Sequence, residues 1–427
     1  TTDEGTPWRG VYRLPPGHLL TAGPGRGPDI RRWHSPAVPT RPATVAEAVE
    51  ELRDRLTAVV ADYVPATGAG VLVSGGIDSN SVLAVARRVA GTDRPVVGCS
   101  LVFPGEPHDE SPWLDHLDRM APEPVRRLLP PPYDWAGWRA WSAATLLPPL
   151  RPNAALAESA ADVLHAHGIG TVLTGEGGDD WFGGGPLHWP GLARRGRLAG
   201  IWRSARRANG TTRHTASAVW GAGLRPLLPH ARRTIVPPWL RADFVHRTQL
   251  ADRLAASDAA TRRASADPQS LRHRRATMPY GEWQREIIRD RHASRGLDWR
   301  HPLHDQRVIE LLLGLPGDVL WRPGETKSLL RAAVADIAPP DIVRRQSKTS
   351  FAPPIAAAIR ATGGARALAG HPLVTNGYVD LDAFVAGEDA ALRCHDAGRP
   401  PPGPHAGLGA VWAVHSTATW FTAVGLS

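Results

Sequence analysis

The stretch VLVSGGIDSNSV at residues 71–82 constrains the fold more than any other part of this 427-residue chain. Three apolar residues, Val71-Leu72-Val73, run into Ser74-Gly75-Gly76, and a helix-compatible run begins at Ser79. A strand that ends in a glycine turn and hands over to a helix is built for an anion. Gly75 and Gly76 have no Cβ, so backbone amides can close on a phosphate. Ser74 and Ser79 add hydroxyl donors, and the helix start aims its amides and dipole at the same point. A bare carboxylate would repel phosphate, so Asp78 is expected to ligate a Mg²⁺ ion that bridges phosphates. The loop lacks the GxxxxGK[ST] pattern of Walker-type sites. Its positive charge must therefore come from elsewhere in the chain.

The flanking periodicity indicates the fold class. Residues 43–64 place Val45, Ala48, Val49, Leu52, Leu56, Val59 and Val60 at helical spacing. Strands are expected at 71–73, 96–103, 125–129 and 171–174, alternating with helices at 79–90, 111–120 and 154–167. That alternation implies an α/β fold, a Rossmann-like parallel sheet with helices on both faces. A helical C-terminal part should follow, with helices at 241–256, 280–296, 305–313, 326–336 and 407–424. Residues 183–240, rich in Gly, Arg, Pro and Trp, read as an irregular insert with one or two short helices. Residues 1–42 contain WRGVYRLPPGHLLTAG, which reads as short strands around a Pro-Pro-Gly turn. This part is too short for a domain and reads as a domain's tail, leaving 43–427 as the main unit. Met120 and Met278 are the only methionines, so sequence upstream of Thr1 is expected.

Composition narrows the class. No window reaches the ~18 uninterrupted apolar residues of a membrane span, and no signal-peptide pattern is present. A cytoplasmic location without membrane association is the expectation. Cys99 and Cys394 form no disulfide framework, and Cys99 sits in an apolar run that suits core. The formal charge of +9 is almost wholly arginine, with only Lys327 and Lys348 as lysines. In so arginine-biased a chain, a surviving lysine suggests that a compact ammonium is required.

Three further stretches carry chemistry. TVLTGEGGDDWFGG at 171–184 is a second strand ending in a glycine turn, with Glu176, Asp179 and Asp180. Strand ends at one edge of a parallel sheet form a ligand crevice, so Asp78 and Asp179 are expected to face one site and share Mg²⁺. RPGETKSLLRAAVADIAPPDIVRRQSKTSF at 322–351 holds both lysines, and Lys327 opens a helix from which it can meet charge on a phosphoryl group. RDRHASRGLDWRHPLHDQRVIELLLGLP at 289–316 joins two helices through a turn, with Glu286 on the first helix.

The 74–79 loop resembles the PP-loop of ATP pyrophosphatases. TVLTGEGGDDWFGG resembles the GEGxDExFGG segment of the asparagine synthetase family, with Asp180-Trp181 in place of Glu-Leu. The stretch at 322–351 resembles that family's KxxLRxA segment, and Arg300-His301-Pro302-Leu303-His304-Asp305 resembles its R-x-P-F-L-D turn. Upstream, LPPGHLL is similar to the end of the glutaminase-type, β-rich domain of these enzymes. The resemblance covers roughly residues 8–355 in family order. It implies an adenine nucleotide alpha hydrolase type of fold with ATP and Mg²⁺. ATP would be cleaved between the α and β phosphates, the loop would hold pyrophosphate, and Lys327 would stabilise the transition state. Backbone at Leu72, Thr174 and Gly175 would hold adenosine. Glu176 aligns with a position beside the acyl intermediate. Glu286 aligns with a base that assists the attacking amine in the β-lactam-forming branch. Lys348 is a second candidate catalytic lysine.

The branch also rests on resemblance. VPPWLRADFVHRTQLADRLA at 236–255 and RQSKTSF-APPI are similar to segments of actinobacterial lasso-peptide cyclases. These adenylate an Asp or Glu side chain of a precursor peptide, and the peptide's N-terminal amine closes a macrolactam. A precursor peptide, a leader-binding protein and a leader peptidase are then the expected partners. The alternatives are a glutamine-hydrolysing asparagine synthetase and a β-lactam synthetase-like enzyme. A tRNA-modifying PP-loop enzyme would suit the charge. Such enzymes usually bring extra cysteines, which this chain lacks, so no nucleic acid partner is expected. A non-catalytic binding module is the remaining alternative, against which the acids and lysines count.

Overall fold

The computed structural model describes residues 5–36, 41–106, 108–120, 123–130, 132–149, 155–182, 189–209, 212–228, 236–264, 268–276, 279–320, 322, 325–346, 352–399 and 407–426. Its centre is a parallel sheet of five strands. β1 (His18–Gly23) and β2 (Arg26–Arg32) form a separate antiparallel hairpin. The sheet comprises β3 (Ala69–Leu72), β4 (Val96–Leu101), β5 (Arg126–Leu128), β6 (Thr171–Thr174) and β7 (Asp298–Arg300), in the order β5-β4-β3-β6-β7. Every residue of β3 and β6 is buried, as expected of strands covered on both faces.

Helix α1 (Val45–Tyr63) opens with a capping box in which Thr44 and Glu47 satisfy each other's backbone amides. It buries Ala48, Leu52, Leu56, Val59 and Val60 in one cluster with α2 (Ile77–Ala90) and later helices. On the other side, Cys99, Ala160, Ala161, Leu164 and Val172 share a second cluster. Leu164 packs so tightly on Gly70 that a Cβ there would overlap it. Burial pushes the Cys99 thiol up to about 12, so it is an inert core residue.

Chain order places the functional edge. From β3 the chain moves outward through β4 and β5, then returns to the far side of β3 with β6 and β7. The switch point falls between β3 and β6, where Leu72 pairs with Thr174. The crevice of an open α/β sheet lies there, beyond the strands' carboxyl ends. Both glycine turns start at this point.

Several elements differ from the sequence expectation. β7 is a three-residue strand inside a polar segment without alternation, and its pairing with β6 defines it. Residues 189–209 and 212–228 are largely helical, with Trp189–Arg194, Leu198–Asn209 and Thr212–Ala218, because Ile201 and Ala205 pack on Trp189. The helix expected at 241–256 breaks at Gln249, whose φ is +49°, into Ala242–Arg247 and Leu250–Ala264. Leu381–Asp396 is a 16-residue helix that is not among the helices expected from sequence. Its Asp380 cap accepts from Ala383 N–H at 3.0 Å, and Phe384 inserts into a C-terminal core with Trp239 and Trp412. Within that core, His415 and Glu388 form a buried pair at 2.6 Å. No helix among the described residues is long and apolar enough to cross a membrane.

Candidate active site

The 74–79 loop is tied by its own side chains. Ser74 N–H donates to Ser79 Oγ at 3.0 Å, Gly76 N–H donates to Ser74 Oγ at 3.2 Å, and the two hydroxyls lie 3.1 Å apart. Asn80 Nδ2 donates to the Ser74 and Gly76 carbonyls, both at 2.7 Å, which fixes the loop onto α2. Helix α2 starts at Ile77, two residues earlier than expected, which puts Asp78 in its first turn. Gly75, Gly76, Asp78 and Ser79 therefore sit together at the switch point.

The second turn meets the first. A Cβ on Gly175 would lie 2.5 Å from Ser79 N, and one on Gly178 would overlap the Asp78 carboxylate. Gly175 meets backbone and requires glycine, whereas a side chain at Gly178 would displace the Asp78 carboxylate, because β3 and β6 are neighbours. Gly177 has φ +97° and lies against the Leu303 backbone, which brings in the turn after β7. Asp179 then points at the same place as Asp78.

Lys327 completes the arrangement. Its ammonium pairs with Asp78 Oδ2 and, at 2.7 Å, with Asp179 Oδ1. The lysine caps Ser328–Ala333 in a left-handed conformation, φ +57°, which costs a non-glycine residue about 1 kcal/mol or more. Buried Arg331 braces it, donating to the Thr326 carbonyl at 2.6 Å and the Val343 carbonyl at 2.5 Å. Burial lowers the Arg331 pKa, while Glu325 and Asp78 oppose that shift.

The two carboxylates that converge on one cation also suit Mg²⁺. Among the described residues no cluster of three or more His, Cys, Asp or Glu side chains is present. A Mg²⁺ ion here would take Asp78 and Asp179 and draw its other ligands from phosphate and water, its habit at nucleotide sites.

Glu176 lies beside this centre. Its N–H donates to Thr174 Oγ1 at 3.2 Å, and that hydroxyl lies 2.7 Å from His301 Nδ1. Arg285 Nη1 is 3.8 Å and His301 Nδ1 is 4.0 Å from the Glu176 carboxylate. Thr174, Arg285 and His301 thus surround Glu176, while Asp179 of the same turn meets Lys327. The sequence reading had no signal for Arg285 or His301, because their proximity depends on β7 pairing with β6. Glu286, on the helix Pro279–Ala293, is 61% exposed and pairs with Arg13. Lys348 lies outside the described residues.

Two departures from the family pattern pair with each other. Trp181 Nε1 donates to His304 Nδ1 at 2.8 Å, so a buried indole N–H finds its acceptor on the turn after β7. A leucine at either position would leave the other's polar atom without this bond.

An open parallel sheet with a glycine loop, paired acids and a lysine at its switch point defines an α/β protein with a charged crevice at its sheet edge. The asparagine synthase family model matches residues 51–399, and the chain belongs to that family of ATP-dependent C–N ligases and amidotransferases. It is also 27% identical over 209 residues to the Gibberella zeae protein "Amidase chry2", covering 43% of this chain and 30% of that protein. The chain therefore spans under a third of the length of this curated relative.

Proposed function

We propose that the chain is an ATP-dependent, AMP-forming amide ligase that closes a macrolactam in a precursor peptide. The convergence of Lys327, Asp78 and Asp179 beside the 74–79 loop carries the nucleotide half of this reading. When bound, ATP supplies the leaving group: a carboxylate oxygen of a peptide Asp or Glu attacks the α-phosphorus, and pyrophosphate departs. The loop amides and hydroxyls of Ser74, Gly75, Gly76 and Ser79 hold the departing anion, with Asp78 and Asp179 as Mg²⁺ ligands. Lys327 stabilises negative charge on the transferring phosphoryl group. Backbone at Leu72, Thr174 and Gly175 borders adenosine.

In the second half-reaction the peptide's N-terminal amine attacks the acyl carbon, AMP leaves, and one amine proton must be accepted. Glu176, flanked by His301 and Arg285, is the acid that suits this role. The peptide ring rests on the likeness of 236–255 and RQSKTSF-APPI to lasso-peptide cyclases. A precursor peptide, a leader-binding protein and a leader peptidase then belong to the same process. Mass spectrometry of a candidate peptide with MgATP tests the reading. The expected result is a peptide lighter by one water, with one AMP and one pyrophosphate formed per ring. Release of ADP, or a peptide of unchanged mass, overturns it.

A further inference from the structure

One amide of the 74–79 loop is paired with an anion from outside the loop. Gly75 N–H donates to Glu110 Oε2 at 3.0 Å. Glu110 stands directly before the helix α3 (Ser111–Asp118), on the segment that leaves β4. The other Glu110 oxygen accepts from Arg345 Nη1 at 2.9 Å, and the two side chains are only 9% and 5% exposed. Arg345 lies over the Trp113 ring at 4.4 Å. Its guanidinium presses so closely on Gly75 that a Cβ there would overlap it. A buried guanidinium therefore lies against the backbone of a phosphate loop, neutralised by a carboxylate that holds one of the loop's amides. Such a pair carries a large desolvation penalty, so its position calls for a reason beyond stability.

We propose that Arg345 is a phosphate-binding side chain and that Glu110 is its internal stand-in for phosphate, displaced when nucleotide enters. This rests on the nucleotide reading above. Lys327 mirrors the arrangement, since its ammonium bridges Asp78 and Asp179 where a divalent cation would go. The centre is neutralised from within by two sets of pairs, Arg345 with Glu110 and Lys327 with Asp78 and Asp179. A polyphosphate with its metal exchanges both pairs. Arg345 suits the phosphate because its planar fork can give two parallel N–H···O bonds.

The test is calorimetric titration of the full chain with MgATP, and separately with magnesium pyrophosphate. E110Q keeps the side chain's shape and removes its charge, and is expected to bind both ligands at least about threefold more tightly. R345A is expected to weaken both by about tenfold or more, and the E110Q gain should vanish in E110Q/R345A. A cooperatively folded E110Q with unchanged or weaker binding overturns the proposal and makes Glu110 a support for the loop. Should E110Q fail to fold, hydrogen exchange on the wild-type chain decides. Peptides covering Glu110 should lose protection when MgATP binds, and unchanged protection overturns the proposal. A wild-type chain that takes up neither ligand sinks the nucleotide reading itself, whereas wild-type binding that E110Q fails to improve sinks only the stand-in.

Discussion

Lys327 and Asp78 lie 249 positions apart and meet in one ion pair, whose ammonium Asp179 shares at 2.7 Å. The loop that opens the sheet's edge thus carries the acid, and a distant helix start carries the base. K327A is expected to lower amide formation by about 100-fold or more, the range for losing a charge stabiliser of a transition state. K327R should not rescue it, because a planar guanidinium cannot fill the same point between two carboxylates. Product formation measured beside thermal melting checks both, and substantial turnover in K327A would sink the assignment.

Gly178 sits against the Asp78 carboxylate with no room for a methyl group. G178A should push Asp78 aside and weaken Mg²⁺-dependent nucleotide binding by about tenfold or more. G200A, with open space around it, should bind like the wild type. Titration of the two variants with MgATP gives the comparison.

Glu176 and Glu286 compete for the role of proton acceptor. The surroundings of Glu176 and the exposure of Glu286 favour the former. E176Q is expected to cost about 100-fold in ring closure, and E286Q about twofold or less. AMP release without ring closure in E176Q would separate the amine step from adenylation. A larger loss in E286Q would reverse the assignment.

His292 gives a pH dependence of stability. The ring is fully buried and stacked on Trp299 at 4.5 Å, and neither nitrogen has a hydrogen-bond partner among the described residues. Burial, with Arg295 and Arg291 adding repulsion, pushes its pKa down to about 4. An unfolded histidine protonates near 6.5. Between those values the unfolded chain binds the extra proton. The ring's contribution is therefore complete above about pH 6.5 and declines by roughly 3 kcal/mol as pH falls to about 4. Urea unfolding across this window should show that slope in the wild type and a flatter one in H292F.

The buried Glu388–His415 pair holds the C-terminal core, and Glu388 also accepts from Ala365 N–H at 2.8 Å. E388A leaves both groups without this partner and should destabilise the chain by about 3 kcal/mol or more. A denaturation midpoint equal to wild type would show that the pair contributes little.

The α/β class, the β3 loop, the acidic turn after β6 and Lys327 were legible because each is local. A strand with its glycine turn and helix start lies within a dozen residues, and two lysines among fifty basic residues stand out. Arg345 is one of 48 arginines, 50 basic residues less two lysines, and nothing in sequence distinguishes it. Glu110 precedes an ordinary helix. The helix Leu381–Asp396 was hidden because its buried face rests on three residues, Phe384, Glu388 and Ala391, one of them charged.

By itself, then, the sequence determined which segments turn, which residues bring charge, and that two glycine turns end strands of one sheet. Only the tertiary structure decided which charges meet. Strand order, β3 beside β6 and β7 beside β6, brings Asp78, Asp179, Glu176 and His301 to one edge, and helix packing delivers Lys327 and Arg345 to it. The physical reason is that local structure follows from a few neighbouring dihedral angles and side chains. Ion pairing over 249 positions follows instead from burying the sheet's two faces, a property of the whole chain.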